Sequence, residues 1–427
     1  MPRHRAALLA CALAIAGGAI AAASPASATG PDGAELMAVP PASRSAQAPQ
    51  QERIATKVKI GGGLDCKTVR ARLTEYAARG VKRAMCATYH EGAAAAATVS
   101  AASVPGLWCS SLAPGYWWIT RTEGCVHGGR ITAIAYDADT GEELGRAEFS
   151  VASLVELAAG PSTDVVETAE VQMTSGTGLL AAPVLTHSAR CTAPCQTYDG
   201  VGFTSTMTTG EVEGSYFSYL DNPGADKHSF ETEHKFSVGI PEVGSLPSVT
   251  VMGPSTIRCD GLVGNRSGCV FPAFTPELVL PVAVYRAAAV NIRFAQGYLP
   301  DQWGYAQPLT RQASTSQQEA NRNAICRDGT FFPIAEVVDD SCDEFAFAAS
   351  RQSGGELGLT GSACAEIVPV ETEPGTWGIW AFRYTGAERC VRAHVPLAEN
   401  SAVGTALSNF TQKERILDED PYTVYAP

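Results

Sequence analysis

The chain has 427 residues and a formal net charge of −13 at pH 7. This length is enough for two domains with separate cores. The acidic balance does not favour a polyanion-binding protein, because a nucleic-acid surface needs local positive charge to displace counterions.

The N-terminus has the features of a secretory signal peptide at residues 1–28. Arg3 and Arg5 give a positive start, an apolar stretch follows, and Ala26-Ser27-Ala28 fits the small-residue cleavage rule. No later stretch is long and apolar enough to span a bilayer. We therefore expect a secreted, extracellular protein without a membrane anchor.

Thirteen cysteines are present, and removal of Cys11 with the signal leaves an even number. An even count in an exported chain predicts disulfides rather than free thiols. The close pair Cys191 and Cys195 could also be half of a zinc site, but no partner pair lies at suitable spacing. The sequence-adjacent pairs predict the disulfides Cys66–Cys86, Cys109–Cys125, Cys191–Cys195, Cys259–Cys269, Cys326–Cys342 and Cys364–Cys390.

Composition and periodicity divide the first two thirds of the chain. Residues 29–56 are rich in Ala, Pro, Ser and Gln and are predicted to be a disordered leader. Residues 57–104 are predicted to be a helical segment, since apolar residues recur every three to four positions from Leu64 to Lys82. Short alternating runs then predict a β-sandwich-like domain over 105–285, of unknown role.

The C-terminal part mixes helix and strand patterns. Residues 286–310, which contain Pro300 and Pro308, are predicted to be a linker, and residues 311–427 a separate small domain. The expected fold class is α+β, with a mainly-β N-terminal region. The expected C-terminal elements are helices at Arg311–Ile325 and Asn400–Phe410 and strands at Glu344–Ala349, Cys364–Val370, Arg389–Leu397 and Tyr422–Tyr425.

Two sequence motifs in this C-terminal part point to chemistry. The first reads Cys-Asp-Glu-Phe-Ala-Phe-Ala-Ala-Ser over residues 342–350 and is followed by Gly354-Gly355. The second reads Val-Pro-Leu-Ala-Glu-Asn over residues 395–400, with Gly404 and Leu407 further on. Together they resemble the NucA/NucB deoxyribonucleases, which are similar to small members of the ββα-metal nuclease superfamily.

The resemblance implies a metal-dependent endonuclease that hydrolyses DNA. Asp343 would be the general base, and Asn400 would bind a single divalent ion, Mg²⁺ or Mn²⁺, through its amide oxygen. Two positions depart from the family pattern: Ala346 replaces a proline, and Phe410 replaces an acidic metal ligand. A neighbour such as Glu399 or Glu371 could substitute for the missing acid.

The residues themselves leave other interpretations open. Asp343 and Glu344 should point to opposite faces of a strand, and both could belong to a solvated strand end. Glu344 is then a supporting catalytic group or simply exposed. Asn400 could be a helix N-cap instead of a metal ligand. His394, on the preceding strand, is a reserve candidate for proton transfer.

The hypothesis also requires a cationic group that holds the substrate phosphate. Arg392 and Arg351 are the candidates for holding a substrate phosphate bidentately. Residues 301–427 hold nine Lys and Arg against eighteen Asp and Glu, so DNA binding is expected to be weak and salt-sensitive. The alternative function is a non-catalytic exported binding protein with a degenerate nuclease-like domain.

Overall fold

The computed structural model describes residues 34–42, 53–63, 65–90, 104–158, 162–240, 247–264 and 266–427. The predicted signal peptide lies outside the described residues. Within them, no helix is long and apolar enough to cross a membrane.

The secondary structure is mostly β. The helices are α1 (Cys66–Ala71), α2 (Leu73–Ala78), α3 (Val282–Tyr298), α4 (Thr315–Cys326) and α5 (Leu397–Lys413). The strands as far as the centre of the chain are β1 (Glu35–Ala38), β2 (Ile54–Thr56), β3 (Ile60–Gly63), β4 (Arg83–His90), β5 (Trp117–Ile119), β6 (Glu123–Asp137), β7 (Glu143–Leu157), β8 (Asp164–Gly178), β9 (Val184–Cys191), β10 (Gln196–Val201), β11 (Phe203–Thr206) and β12 (Val212–Leu220). The remaining strands are β13 (Lys227–Phe230), β14 (Thr232–Gly239), β15 (Ser248–Met252), β16 (Ile257–Asp260), β17 (Gly268–Val270), β18 (Glu277–Val279), β19 (Leu309–Thr310), β20 (Asp340–Phe345), β21 (Ala365–Glu373), β22 (Thr376–Arg383), β23 (Val391–Pro396) and β24 (Pro421–Tyr425).

The N-terminal region consists mainly of two sheets that share one apolar core. The larger sheet has the order β10-β12-β8-β7-β6-β5-β2, with β4 paired to β6, and the smaller has the order β11-β9-β14-β15-β3. Strand β8 shows why these residues form strands, because buried and partly exposed side chains alternate along it. The mainly-β prediction for this region is confirmed.

Three sequence predictions in the connecting regions are wrong. Residues 35–38 of the predicted leader form β1, which pairs with β22 near the other end of the chain, and β2 ends the same segment. Within the predicted helical segment, α1 and α2 lie where the apolar spacing places a helix, but β3 and β4 are strands of the two sheets, so the prediction is wrong for those residues. The predicted linker is largely α3, whose side chains are buried from Ala287 to Ile292.

A second core lies in the C-terminal part, around a sheet with the order β1-β22-β21-β23-β20. Helices α3 and α5 contact each other and pack on one face of this sheet, while α4 contacts β20. Strand β20 is at the edge and runs antiparallel to β23, which leads directly into α5. The sheet, α3 and α5 therefore place the two sequence motifs next to each other.

The structure contains the same six disulfides that the cysteine spacing predicts. Cys326–Cys342 joins the end of α4 to β20, and Cys364–Cys390 joins the starts of β21 and β23. Each closes a short loop of the unfolded chain, which stabilises the fold by a few kcal/mol in the chain-entropy model. The bonds fit a protein that folds in an oxidising compartment.

Buried arginines fasten the segment after α5 to the β-rich region. Arg415 donates from Nε to Asp260 Oδ2 (3.1 Å) and from Nη2 to the Asp260 carbonyl oxygen (2.7 Å). Arg258 donates from Nη1 to both carboxylate oxygens of Asp420, at 2.8 and 2.6 Å. Arg121 donates to the carbonyl oxygens of Glu414 and Phe274, at 2.7 and 3.0 Å. These charged contacts fix the two parts of the chain against each other.

Candidate functional site

Asp343 lies in the apolar layer between the C-terminal sheet and α3. It is 7% exposed, and its neighbours on the same face of β20 and β23 are apolar residues such as Phe345 and Ala393. Within the described residues, its carboxylate has one hydrogen-bond partner, Asn291, which donates from Nδ2 to Oδ2 at 3.1 Å. The prediction of a solvated strand end is therefore wrong for Asp343.

This environment changes the proton affinity of Asp343. Burial raises its pKa to about 7, although the hydrogen bond from Asn291 opposes the rise by stabilising the charged form. A carboxylate with a pKa near the working pH is a far better base than an exposed one. The geometry thus supplies the desolvation that an aspartate base requires.

Glu344 points to the opposite face of β20, as the strand periodicity predicts. It is 8% exposed, and its Oε2 has no hydrogen-bond partner in the described part of the chain. Burial raises its pKa to about 8, and the positive charge of Arg322 on α4 only partly offsets this. Glu344 is therefore neither exposed nor on the face that carries Asp343, so a catalytic role beside that residue is excluded.

We expect Glu344→Gln to stabilise the protein more at pH 8 than at pH 5. The folded-state pKa of about 8 lies above the ordinary glutamate pKa of 4.5, so the wild type loses stability as the pH rises between these values. A glutamine at this position does not ionise, so the variant does not lose stability in this way as the pH rises. Thermal unfolding at the two pH values measures the effect, with the exposed Glu319→Gln on α4 as the control. The same change in melting temperature at both pH values would contradict the raised pKa of Glu344.

Asn400 lies in the first turns of α5 and connects this helix to β20. Its Nδ2 donates to Ser341 Oγ (3.2 Å) and to the Cys342 carbonyl oxygen (2.9 Å). The helix begins at Leu397 with Pro396 as its N-cap residue, so the N-cap interpretation of Asn400 is wrong. Its Oδ1 accepts no hydrogen bond from the described residues, and that oxygen is the atom a metal ion would need.

Both carboxylate oxygens of Glu399 accept hydrogen bonds from residues of α3. Its Oε2 accepts a hydrogen bond from the backbone N–H of Ala287 (2.8 Å), and its Oε1 accepts one from Arg286 Nε (3.2 Å). Arg286 has a φ of 47° inside α3, where the helix is interrupted, so Glu399 caps the part of α3 that follows. The predicted role of Glu399 as a substitute metal ligand does not agree with these contacts.

Arg392 and His394 form a buried polar cluster on the face of the sheet that carries Glu344. The Arg392 side chain has no exposed area and donates to Glu366 Oε2 (2.9 Å) and Thr330 Oγ1 (2.8 Å). The Nδ1 of His394 lies 2.7 Å from Asp340 Oδ2, and its Nε2 lies 3.3 Å from Glu366 Oε1. The predicted phosphate contact of Arg392 does not agree with these contacts, because both terminal nitrogens of the guanidinium already bind Glu366 and Thr330 and the side chain has no exposed area.

The cluster also changes the pKa of His394 and fixes the position of its ring. Burial alone would lower its pKa, but the hydrogen bonds and charges of Asp340 and Glu366 outweigh this and raise the pKa. The ring stacks on Phe331 with centroids 4.4 Å apart. Both ring nitrogens lie within hydrogen-bond distance of a carboxylate, so neither nitrogen is directed towards a substrate. The structure therefore removes His394 as a reserve base.

Arg351 is the more accessible of the two predicted phosphate ligands. Its side chain is 35% exposed, and it forms an ion pair with Asp418 at 2.9 Å, with Glu356 and Glu419 at 3.9 and 4.0 Å. The backbone N–H of Arg351 donates to the carbonyl oxygen of Thr310, so Arg351 is bound to the end of β19. Three carboxylates compete with a phosphate for this guanidinium.

The glycine pair of the first motif has a packing role. A Cβ atom on Gly355 would lie 2.5 Å from the Asn321 Cα, and one on Gly354 would lie 2.7 Å from Ile325 Cδ1. Both contacts are with α4, so the two glycines let this helix approach the loop after β20. This part of the motif therefore positions β20 and needs no direct role in chemistry.

Asn291 is the site residue that the sequence interpretation missed. It follows four buried residues in α3 (Ala287, Ala288, Ala289 and Val290) and is itself completely buried. A lone polar residue in such a run is the signal that could have identified it, since a buried polar group needs a partner. The linker prediction for residues 286–310 is at odds with this signal, because a linker residue is expected to be exposed whereas Asn291 is buried in α3.

The donor set fits only an ion that keeps most of its waters. In the described part of the chain, no group of three or more His, Cys, Asp or Glu residues could hold a metal ion. The Asn400 Oδ1 remains as a hard oxygen donor next to β20. Mg²⁺ binds in this way, through few protein oxygens and several waters. Of the predicted ligands, Asn400 therefore has a side-chain oxygen that accepts no hydrogen bond from the described residues, whereas both carboxylate oxygens of Glu399 are bound.

Comparisons with known proteins do not assign a family. No protein-family model matches the chain, and no curated protein matches it. One solved structure that it resembles is Escherichia coli alpha-2-macroglobulin activated by porcine elastase, at 15% identity and a TM-score of 0.16. That match covers 32% of this chain and 12% of the other, and at this TM-score it carries no argument. The resemblance to the NucA/NucB nucleases stays a prediction based on the residues themselves.

Proposed function

We propose that the protein is an exported, metal-dependent endonuclease that hydrolyses DNA with Asp343 as its general base. The observation that carries this proposal is the burial of the Asp343 carboxylate on the edge strand β20, with Asn291 as its partner. The amide of Asn400 is bonded to the same strand at Ser341 and Cys342. The buried carboxylate and the amide on one strand support the proposal, because it needs a desolvated base and an oxygen ligand close together.

In the proposed reaction, Asp343 takes a proton from a water molecule while the oxygen of that water attacks phosphorus. One O–P bond forms, the O–P bond to the leaving sugar breaks, and the leaving alkoxide takes a proton from solvent. The two hydrogen bonds from the Asn400 side chain hold α5 against β20 beside Asp343. A bound divalent ion would offset the negative charge that develops at the phosphate.

We expect Asn400→Ala to raise the concentration of Mg²⁺ or Mn²⁺ needed for half-maximal cleavage. The variant loses an oxygen ligand, and high Mn²⁺ should restore part of the activity. The measurement is the metal-dependence curve of plasmid nicking beside the melting temperature. Asn409→Ala, exposed on the same helix, is the control. A lower melting temperature with an unshifted metal curve would assign Asn400 to structure alone.

The second candidate function is a non-catalytic exported binding protein. It is favoured by the contacts of Arg392 and Glu399, because Glu366 and Thr330 bind the terminal nitrogens of Arg392 and α3 binds both carboxylate oxygens of Glu399. The acidic balance of the C-terminal part agrees with it as well. This candidate predicts that no divalent metal at any salt concentration supports cleavage.

A further inference from the structure

The amide of Asn291 has one fixed orientation. Its Nδ2 donates to both the carbonyl oxygen and the Oδ2 of Asp343, at 3.2 and 3.1 Å. A flipped amide would place its oxygen against these two acceptors, and an amide oxygen cannot donate. The Oδ1 of Asn291 must therefore point away from them.

That oxygen has no partner in the described residues although it is buried. A buried carbonyl group without a hydrogen bond destabilises the fold, because it loses its contact with water and gains no partner. Buried polar groups of this kind are commonly satisfied by an ordered water. The unpartnered oxygen therefore points to a ligand that donates a hydrogen bond.

Asp343 offers a second acceptor close by. Its Oδ2 is held by Asn291, while its Oδ1 receives no hydrogen bond from the described part of the chain. Because the two side chains are hydrogen-bonded to each other, both free oxygens belong to one small polar site in an apolar layer. A water molecule has two O–H groups and can donate one to each oxygen.

We propose that Asn291 is a positioning residue that, together with Asp343, holds the water that attacks the phosphate. A water that donates both protons to these acceptors directs its lone pairs away from them, towards an incoming phosphorus. The proton that leaves during attack then already lies on the Asp343 Oδ1 hydrogen bond. The catalytic part of this inference rests on the proposed nuclease function, whereas the binding of the water does not.

The kinetic test is Asn291→Leu, which keeps a similar size and removes both the donor and the acceptor. We expect kcat for plasmid nicking to fall about 100-fold, because a misplaced nucleophile costs roughly that factor. KM should stay within about two-fold, since no contact with bound DNA is lost. A change in KM with an unchanged kcat would overturn the inference.

Asn321→Leu is the matched control. Asn321 is also a buried helix asparagine, but both ends of its amide are satisfied, by the Ala348 carbonyl oxygen (2.9 Å) and Gln317 Nε2 (3.0 Å). Its replacement should lower the melting temperature and leave kcat nearly unchanged. An equal loss of kcat in both variants would show that disturbed packing explains the effect, and would overturn the role of Asn291.

Crystal structures of the wild type and of Asn291→Leu separate this inference from the nuclease function. We expect an ordered water within hydrogen-bond distance of Asn291 Oδ1 and Asp343 Oδ1 in the wild type only. A dry site, or a protein donor at Asn291 Oδ1, would overturn the inference even for an active enzyme. A water in place in a protein that cleaves no DNA would support the site and refute the proposed function.

Discussion

Replacing Asp343 with asparagine should lower the rate of DNA cleavage by about two to four orders of magnitude, the typical contribution of a positioned general base. The asparagine keeps the size of the side chain but cannot accept a proton at neutral pH. The wild-type rate should rise with pH around a midpoint near 7, because burial raises the pKa of Asp343 to about 7 and only the ionised form is a base. Single-turnover nicking of plasmid from pH 5 to pH 9 measures both effects.

The melting temperature is the control for this variant. A buried carboxyl with a raised pKa destabilises the fold as the pH rises above the value of the unfolded chain. We therefore expect Asp343→Asn to melt no lower than the wild type at pH 8, so that lost activity cannot be attributed to unfolding. Wild-type cleavage rates in a folded Asp343→Asn protein would refute the assigned base.

Replacing Asp260 with alanine should destabilise the protein by about 3–5 kcal/mol, the usual cost of removing one partner from a buried ion pair. Asp260 is completely buried and accepts hydrogen bonds from Arg415 Nε (3.1 Å) and from the Leu262 backbone N–H (3.2 Å). Its loss leaves the Arg415 guanidinium with an uncompensated charge at the contact between the β-rich region and the C-terminal part. Urea unfolding measures the change.

The exposed pair of Glu143 and Arg146 is the matched control, with a 2.9 Å contact and side chains 38% and 41% exposed. Glu143→Ala should change the stability by less than about 1 kcal/mol, because solvent screens a surface ion pair. The double variant Asp260→Ala/Arg415→Ala should cost less than the sum of the single variants. Additive effects in the double variant would show that the pair is not coupled.

The elements around the candidate site were predictable because their patterns are local. Strand β23 and helix α5 follow each other directly, and the change from alternating to helical periodicity is visible at Pro396. The disulfides were predictable for the same reason, since each joins cysteines that are neighbours in sequence order, as Cys191 and Cys195 illustrate.

Helix α3 and the partners of the charged residues were not predictable in this way. Residues Ala287–Ile292 are buried around most of the helix, so the segment lacks the apolar stripe that marks a surface helix. Strand β1 pairs with β22 across most of the chain length, and no local pattern encodes such pairing. Arg392 meets Glu366 because β21 and β23 lie side by side, and only the register of the folded sheet decides this.

The proposed function depends most directly on whether the purified protein cleaves DNA. Supercoiled plasmid should be converted to nicked and linear forms with Mg²⁺ or Mn²⁺, and EDTA should stop the conversion, because the site offers a neutral amide ligand that holds an ion only while free metal is present. Intact supercoiled plasmid across divalent metals, salt concentrations and pH values from 5 to 9 would contradict the nuclease assignment and favour the binding protein.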